Sequence, residues 1–168
     1  MKFFSGFGFE KEYELFDYIK LNSFDVAGFS FGAIKAYEYS LDSDKRIDRL
    51  ILISPAFFQD RDEKFKKLQL IFYKKDKKNY LENFYKNVIY PSNLDIEKYK
   101  KEYDIDNLKK LLYFFWDEKK LEKILEKGIE IEVYLGEKDK IIDSQKAYEF
   151  FKNFGTVYFI KGVGHLLI

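Results

Sequence analysis

The sequence predicts an α/β fold: a mostly parallel sheet of about five strands with flanking helices and a helical insertion. Three observations lead there. Apolar stretches of strand length alternate with stretches of helical periodicity, the rhythm of parallel strands joined by right-handed crossovers. The stretch RLILISPAF (49–57) is apolar until Ser-Pro closes it, as a strand covered on both faces must be. Residues 58–127 hold no strand pattern, although they lie between two predicted strands.

In order along the chain, KFF (2–4) is a short first strand that stops at the glycine-broken SGFGF. Residues 10–20, EKEYELFDYIK, place Leu15, Phe16 and Ile19 at helical spacing. FDVAGF (24–29) reads as a buried strand, and FGAIKAYEYSL (31–41) as a helix that buries Ile34, Tyr37 and Leu41. After RLILISPAF, residues 58–127 read as several amphipathic helices rich in Phe, Tyr, Leu and Lys. They exceed an ordinary crossover and are expected to form a helical cap on a single domain spanning 1–168. IEIEVYLGEKD (129–139) is a further strand, entered through Gly128. Ser144 is expected to N-cap a helix that buries Ala147, Phe150, Phe151 and Phe154, with Gly155 just past its end. TVYFIKGVGH (156–165) is the last strand and its exit loop.

Composition narrows the function classes. At 168 residues with 46% hydrophobic and 20% aromatic residues, the chain can bury a sizeable core. Thirty basic residues against 29 acidic ones leave a net charge of +1, so no global field points to nucleic acid or to a membrane. The absence of cysteine excludes disulfides and thiolate catalysis, and a single histidine excludes a multi-histidine metal centre. The start, MKFFSGFGFEKEYE, lacks a basic region followed by an apolar run, and no apolar run is long enough to span a bilayer. A cytoplasmic protein without metal or cofactor is expected.

One stretch carries a pattern for chemistry. Gly28-Phe29-Ser30-Phe31-Gly32 fits G-x-S-x-G, and it lies between a predicted strand and a predicted helix, as a nucleophile elbow requires. Such an elbow holds its serine at unfavourable backbone angles, and the crowded chain demands small residues at Gly28 and Gly32. A serine hydroxyl needs a base, and the only histidine is His165, just after the last predicted strand. The histidine in turn needs an acid to fix its tautomer. Asp139, in the turn after the preceding strand, is the preferred acid, with Glu137 and Asp143 as nearby alternatives. Two backbone N–H groups must also face the developing oxyanion. Phe31, after the serine, supplies one; Phe7, between Gly6 and Gly8 of the SGFGF turn, is the choice for the other, with Ser5 steadying the loop.

SGFGF, GFSFG, GEKD and the final GVGH, in this order, resemble the α/β-hydrolase superfamily over the whole chain. Most members carry His-Gly before the first oxyanion donor, where this chain has Ser5-Gly6. Against the usual sheet, the first two strands and one strand–helix unit are absent. That reduced build, with the segment FKKLQLIFYKKDKKNYLENFYKNV and the ending GHLL, is similar to the short-form pimeloyl-acyl-carrier-protein methyl ester esterases of biotin synthesis. The resemblance implies a carboxylesterase that needs no cofactor and removes a methyl group from a pimeloyl chain on acyl carrier protein. It implies Ser30, Asp139 and His165 as the triad and Phe7 and Phe31 as oxyanion donors.

The basic excess of residues 61–86, including Lys66, Lys67, Lys74, Lys75, Lys77 and Lys78, suits docking of an acidic carrier protein, or else is a solvated helix face. Phe65, Leu68, Phe72 and Phe84 are candidates for an acyl channel or for plain packing of the cap. Another serine hydrolase on the same scaffold, a thioesterase or a short-chain carboxylesterase, is the alternative activity. A catalytically dead binding module is the alternative from a different class.

Overall fold

A computed structural model describes residues 1–168. Five strands, β1 (Lys2–Phe4), β2 (Val26–Phe29), β3 (Arg49–Ile53), β4 (Glu130–Gly136) and β5 (Thr156–Ile160), form one sheet whose spatial order follows the chain order. Every pairing is parallel, with Val26 beside Leu50 and Leu50 beside Ile131 fixing the central register. The expected mostly parallel sheet is therefore wholly parallel. Helix α1 (Phe31–Asp42) follows β2, and α6 (Ser144–Phe151) follows β4. Between β3 and β4 run α2 (Glu63–Lys75), α3 (Lys77–Ile89), α4 (Ile105–Tyr113) and α5 (Glu118–Glu126). No helix is long and apolar enough to cross a membrane.

The apolar runs make the sheet because alternate side chains leave a strand on opposite faces, and both faces here are covered. Leu50 and Leu52 join the larger core with Ile34, Trp116 and Phe151, whereas Ile51 and Ile53 join a second core with Phe9, Phe16 and Leu166. At the N-terminal ends of the strands, Arg49 on β3 reaches the Lys20 carbonyl (2.7 Å) and two carboxylates. It pairs with buried Asp25 at 2.6 Å and with Glu132 on β4 at 2.9 Å. Its hydrogen bonds to Asp25 hold the guanidinium still more firmly charged than usual.

Five of the six α-helices open on an aspartate whose carboxylate accepts a backbone N–H three residues on: Asp62, Asp76, Asp104, Asp117 and Asp143. Each such cap contributes about 1 kcal/mol by satisfying a donor with no partner inside the helix. At α6 this corrects the expected boundary: Asp143 is the N-cap and Ser144 is already the first helical residue. The carboxylate reaches the Lys146 N–H, and Ser144 takes no capping role. Gly155 also lies beyond the helix end, in the approach to β5, where a Cβ would sit 2.1 Å from the Ile131 carbonyl oxygen. Close approach to β4, not helix termination, is what demands glycine there.

Two smaller expectations change as well. The helical pattern of residues 10–20 yields only a five-residue 3₁₀ turn, Glu12–Phe16. Lys11 in a left-handed conformation ends any helix on its N-terminal side, and Phe16 and Ile19 need only one turn to reach the second core. Leu41 is half-buried, not buried, because α1 turns its small residues Ala33, Ala36 and Ser40 inward beside Ile34 and Tyr37.

Candidate active site

Each strand of the parallel sheet sends its C-terminal exit to the same edge, where open α/β sheets place their sites. There β1 delivers Ser5–Phe7, β2 delivers Ser30, β3 Ser54, β4 Asp139 and β5 His165.

Ser30 stands at the N-cap position of α1, where a serine would ordinarily bond back to the first turn. It does not. Its backbone lies at φ 52° and ψ −114°, and its side chain makes no capping bond. A conformation of this kind costs about 1–3 kcal/mol in a residue other than glycine. It is held by the Ser30 N–H donating to Ile53 (2.9 Å) and by the Ser30 carbonyl accepting from Ala33 (3.1 Å) and Ala56 (3.2 Å). The flanking glycines are required by contact: a Cβ on Gly28 would lie 2.2 Å from the Gly32 carbonyl oxygen, and one on Gly32 would lie 1.9 Å from that of Phe4.

Freed from capping, Ser30 Oγ lies 3.0 Å from His165 Nε2. On the other side of the ring, His165 Nδ1 lies 2.6 Å from Asp139 Oδ2. His165 and the Asp139 side chain are shut off from solvent. A carboxylate at Nδ1 makes that nitrogen the donor and leaves Nε2 to accept from the serine hydroxyl. The remaining oxygen of Asp139 accepts from the N–H groups of Ile141 (2.7 Å) and Ile142 (3.1 Å), which orients the carboxylate. The two alternative acids are engaged elsewhere: Glu137 accepts from the Gly162 N–H, and Asp143 caps α6. His165 is steadied through its main chain, whose carbonyl accepts from Ser54 Oγ at 2.6 Å, and its ring packs 5.1 Å from that of Phe29.

The SGFGF turn approaches the same point. The Gly6 N–H donates to Glu12 Oε1 at 2.7 Å, and the Gly8 carbonyl accepts from the Lys101 N–H (2.9 Å) and the Tyr85 hydroxyl (2.8 Å). Between these anchors the Phe7 N–H donates to no protein acceptor. The Phe31 N–H, first in α1, has no acceptor within its helix. Two backbone donors without a protein acceptor therefore lie on segments that pack together, the exit of β1 and the start of α1. Beneath the turn, Glu12 is fully buried, and burial pushes its carboxyl above the usual carboxylate range against the pull of the Gly6 N–H.

Ser30 opens into a cavity of about 590 Å³, within the size range of small-molecule sites. Leu108, Leu111 and Phe58 form an apolar wall, while Asn79, Asn83 and Asn87 line it from α3. These asparagines are four residues apart and share one face of the helix, whereas Lys78, Glu82 and Lys86, on the neighbouring row, stay outside the cavity. Of the four apolar channel candidates, Phe65, Phe72 and Phe84 line the cavity, and Leu68 does not. Of the six lysines, only Lys75 reaches it. Lys66 rests on the Tyr113 ring, Lys67 pairs with Glu63 and Lys77 with Glu102, while exposed Lys74 and Lys78 make no ion pair. No group of three or more His, Cys, Asp or Glu side chains is placed to hold a metal ion.

Two residues at the site escape sequence reasoning. Ser54 is signalled only by the Ser-Pro that closes β3, and Glu12 is one acid among 29 with no motif of its own.

No protein-family model and no curated protein matches this sequence. Solved structures do. BioG from Haemophilus influenzae superposes with a TM-score of 0.61 at 13% identity, covering 98% of this chain and 87% of that one. A bromoperoxidase from Bacillus anthracis gives 0.63 at 16%, covering 96% and 73%. Naproxen esterase (carboxylesterase NP) from Bacillus subtilis gives 0.59 at 18%, covering 84% of this chain. This chain spans about half the length of that esterase, 53% of it. At such identities the shared property is the fold, a reduced α/β-hydrolase fold of five parallel strands and six helices.

Proposed function

We propose that this chain is a serine carboxylesterase that hydrolyses the methyl ester of a pimeloyl chain carried on acyl carrier protein, releasing methanol, in biotin synthesis. The observation that carries the esterase reading is the unbroken relay from Ser30 Oγ through His165 to Asp139, at the base of a largely apolar cavity. In this reading His165 Nε2 takes the Ser30 proton as Oγ attacks the ester carbonyl. The N–H groups of Phe7 and Phe31 hold the tetrahedral oxyanion, and methanol leaves with the proton from His165. Water then enters and gives a proton to His165 as it attacks the acyl-serine carbonyl; His165 returns that proton to Ser30 Oγ as the acid departs. The first of these transfers runs between Ser30 Oγ and His165 Nε2, which already lie in hydrogen-bond reach.

The substrate class rests on the resemblance of the sequence to the short-form esterases and on the shape of the site. We assign residues 58–127 the role of a cap. Its apolar wall suits the methylene chain, and the amides of Asn79, Asn83 and Asn87 suit the amide groups of a carrier arm. Exposed Lys74, Lys75 and Lys78 would meet the acidic carrier at the rim.

The test is mass spectrometry of the products from carrier-bound pimeloyl methyl ester, run beside dimethyl pimelate, acyl thioesters and the Ser30→Ala variant. Free methanol and pimeloyl carrier are expected from the wild type, with at least a ~10³-fold loss in Ser30→Ala. Equal turnover by that variant would sink the nucleophile, and preference for the thioester would reassign the enzyme as a thioesterase.

A further inference from the structure

Glu12 is a buried acid that the hydrolytic steps do not use. It is 0% exposed, its Oε1 accepts from the Gly6 N–H at 2.7 Å, and its Oε2 has no hydrogen-bond partner. Leaving a carboxyl oxygen buried and unpaired is costly, so a residue of this kind in a small protein calls for a local reason. The reason is the turn above it. Gly6 is pressed against the nucleophile's own strand, where even an added Cβ would lie 2.7 Å from the Phe29 ring and 3.2 Å from its carbonyl oxygen. On the far side, Gly8 is tied at its carbonyl to Lys101 and Tyr85. A peptide turn this short has few ways to run between two fixed glycines. With the Gly6 N–H drawn down to Glu12, the next amide, that of Phe7, is left without a protein acceptor.

We propose that Glu12 is a positioning residue: its carboxyl oxygen anchors the Gly6 N–H and thereby presents the Phe7 N–H to the oxyanion formed at Ser30. The proposal rests on the reading of Ser30 as nucleophile and of Phe7 as an oxyanion donor, and it assigns Glu12 no contact with substrate. What the turn needs from Glu12 is an acceptor at the right reach, not a negative charge. A charge would in fact oppose the oxyanion, and burial already favours the neutral carboxyl. Glutamine, which keeps the acceptor and the length, should therefore replace it; aspartate, which keeps the acid and loses a methylene, should not.

The experiment compares Glu12→Gln and Glu12→Asp with the wild type on a p-nitrophenyl ester, and follows exchange of the Gly6 amide by NMR. Glu12→Gln should stay within about threefold of wild-type kcat. Glu12→Asp should lose about 30-fold or more in kcat with KM changed less than threefold, as expected when a donor acts chiefly in the transition state. Gly6 exchange protection should be kept in Glu12→Gln and lost in Glu12→Asp. Any other ranking of the two variants, in kcat or in protection, overturns the proposal. If the wild type and Ser30→Ala prove equally inactive on every ester, the esterase reading fails instead. The exchange measurement then decides alone whether Glu12 anchors the turn.

Discussion

Ser30 shows how much of this site is decided within a single residue. Five aspartates at the corresponding position of other helices cap them, whereas Ser30 gives up a cap of about 1 kcal/mol and accepts a strained backbone. The gain is a hydroxyl aimed at His165 instead of at its own helix. At the same scale, Asp139 divides its oxygens between the His165 ring and two backbone amides, which fix the orientation of the carboxylate. Asp139→Asn should keep those amide bonds but invert the imidazole's donor and acceptor. Steady-state kinetics should then show kcat down by about 10³- to 10⁴-fold with little change in KM or in thermal stability. A loss below tenfold would mean that another acid serves His165. The three residues are legible in the sequence because each follows a separate predicted strand. Glu12 and Ser54 are not, because what marks them is burial beside a backbone group from a distant segment.

At the scale of elements, the strands and helices follow from periodicity, and their ends follow from capping chemistry. The unbroken apolar run LILI marks β3 as a strand buried on both faces, while the alternation of IEVYL marks β4 as a strand with one face more deeply buried than the other. Helix ends are less legible: SxxA and DxxK both occur at the start of α6, and only the bond to the Lys146 N–H identifies Asp143 as the cap. Asp143→Ala should cost about 1 kcal/mol, a fall of about 2–4 °C in Tm for a chain of this size. Ser144→Ala should stay within about 0.5 kcal/mol. The reverse order in a thermal melt would restore Ser144 as the cap. The 3₁₀ turn Glu12–Phe16 is shorter than its periodic pattern suggests, because two buried apolar residues satisfy the second core without a full helix.

For the whole molecule, parallel order sends every strand exit to one edge, and Arg49 ties β3 to Asp25 and β4 at the opposite edge. The near-neutral chain has no overall field, so any steering of a charged partner must come from a local patch. Lys74, on α2, and Lys78, on α3, are exposed and stay outside the cavity. Reversing both to Glu should raise KM for a carrier-bound ester by about 3- to 10-fold at low salt, with the gap closing as salt rises. KM for a small uncharged ester should not move. A matching change on both substrates would place the lysines in the cavity's own chemistry and not in docking.

The sequence by itself determines the α/β class, the strand order along the chain, the glycine-flanked Ser30 turn, the one histidine and a short stretch of acids from which its partner must come. It does so because hydrophobic periodicity and steric need for glycine are local properties, written into neighbouring residues. Only the tertiary structure decides that Asp139, and neither Glu137 nor Asp143, faces His165, that Asn79, Asn83 and Asn87 line the cavity while the adjacent charged row does not, and that Glu12 lies beneath the SGFGF turn. Those outcomes depend on which segments meet across the sheet edge. Hydrogen-bond reach and burial between residues far apart in the chain have no counterpart in local pattern.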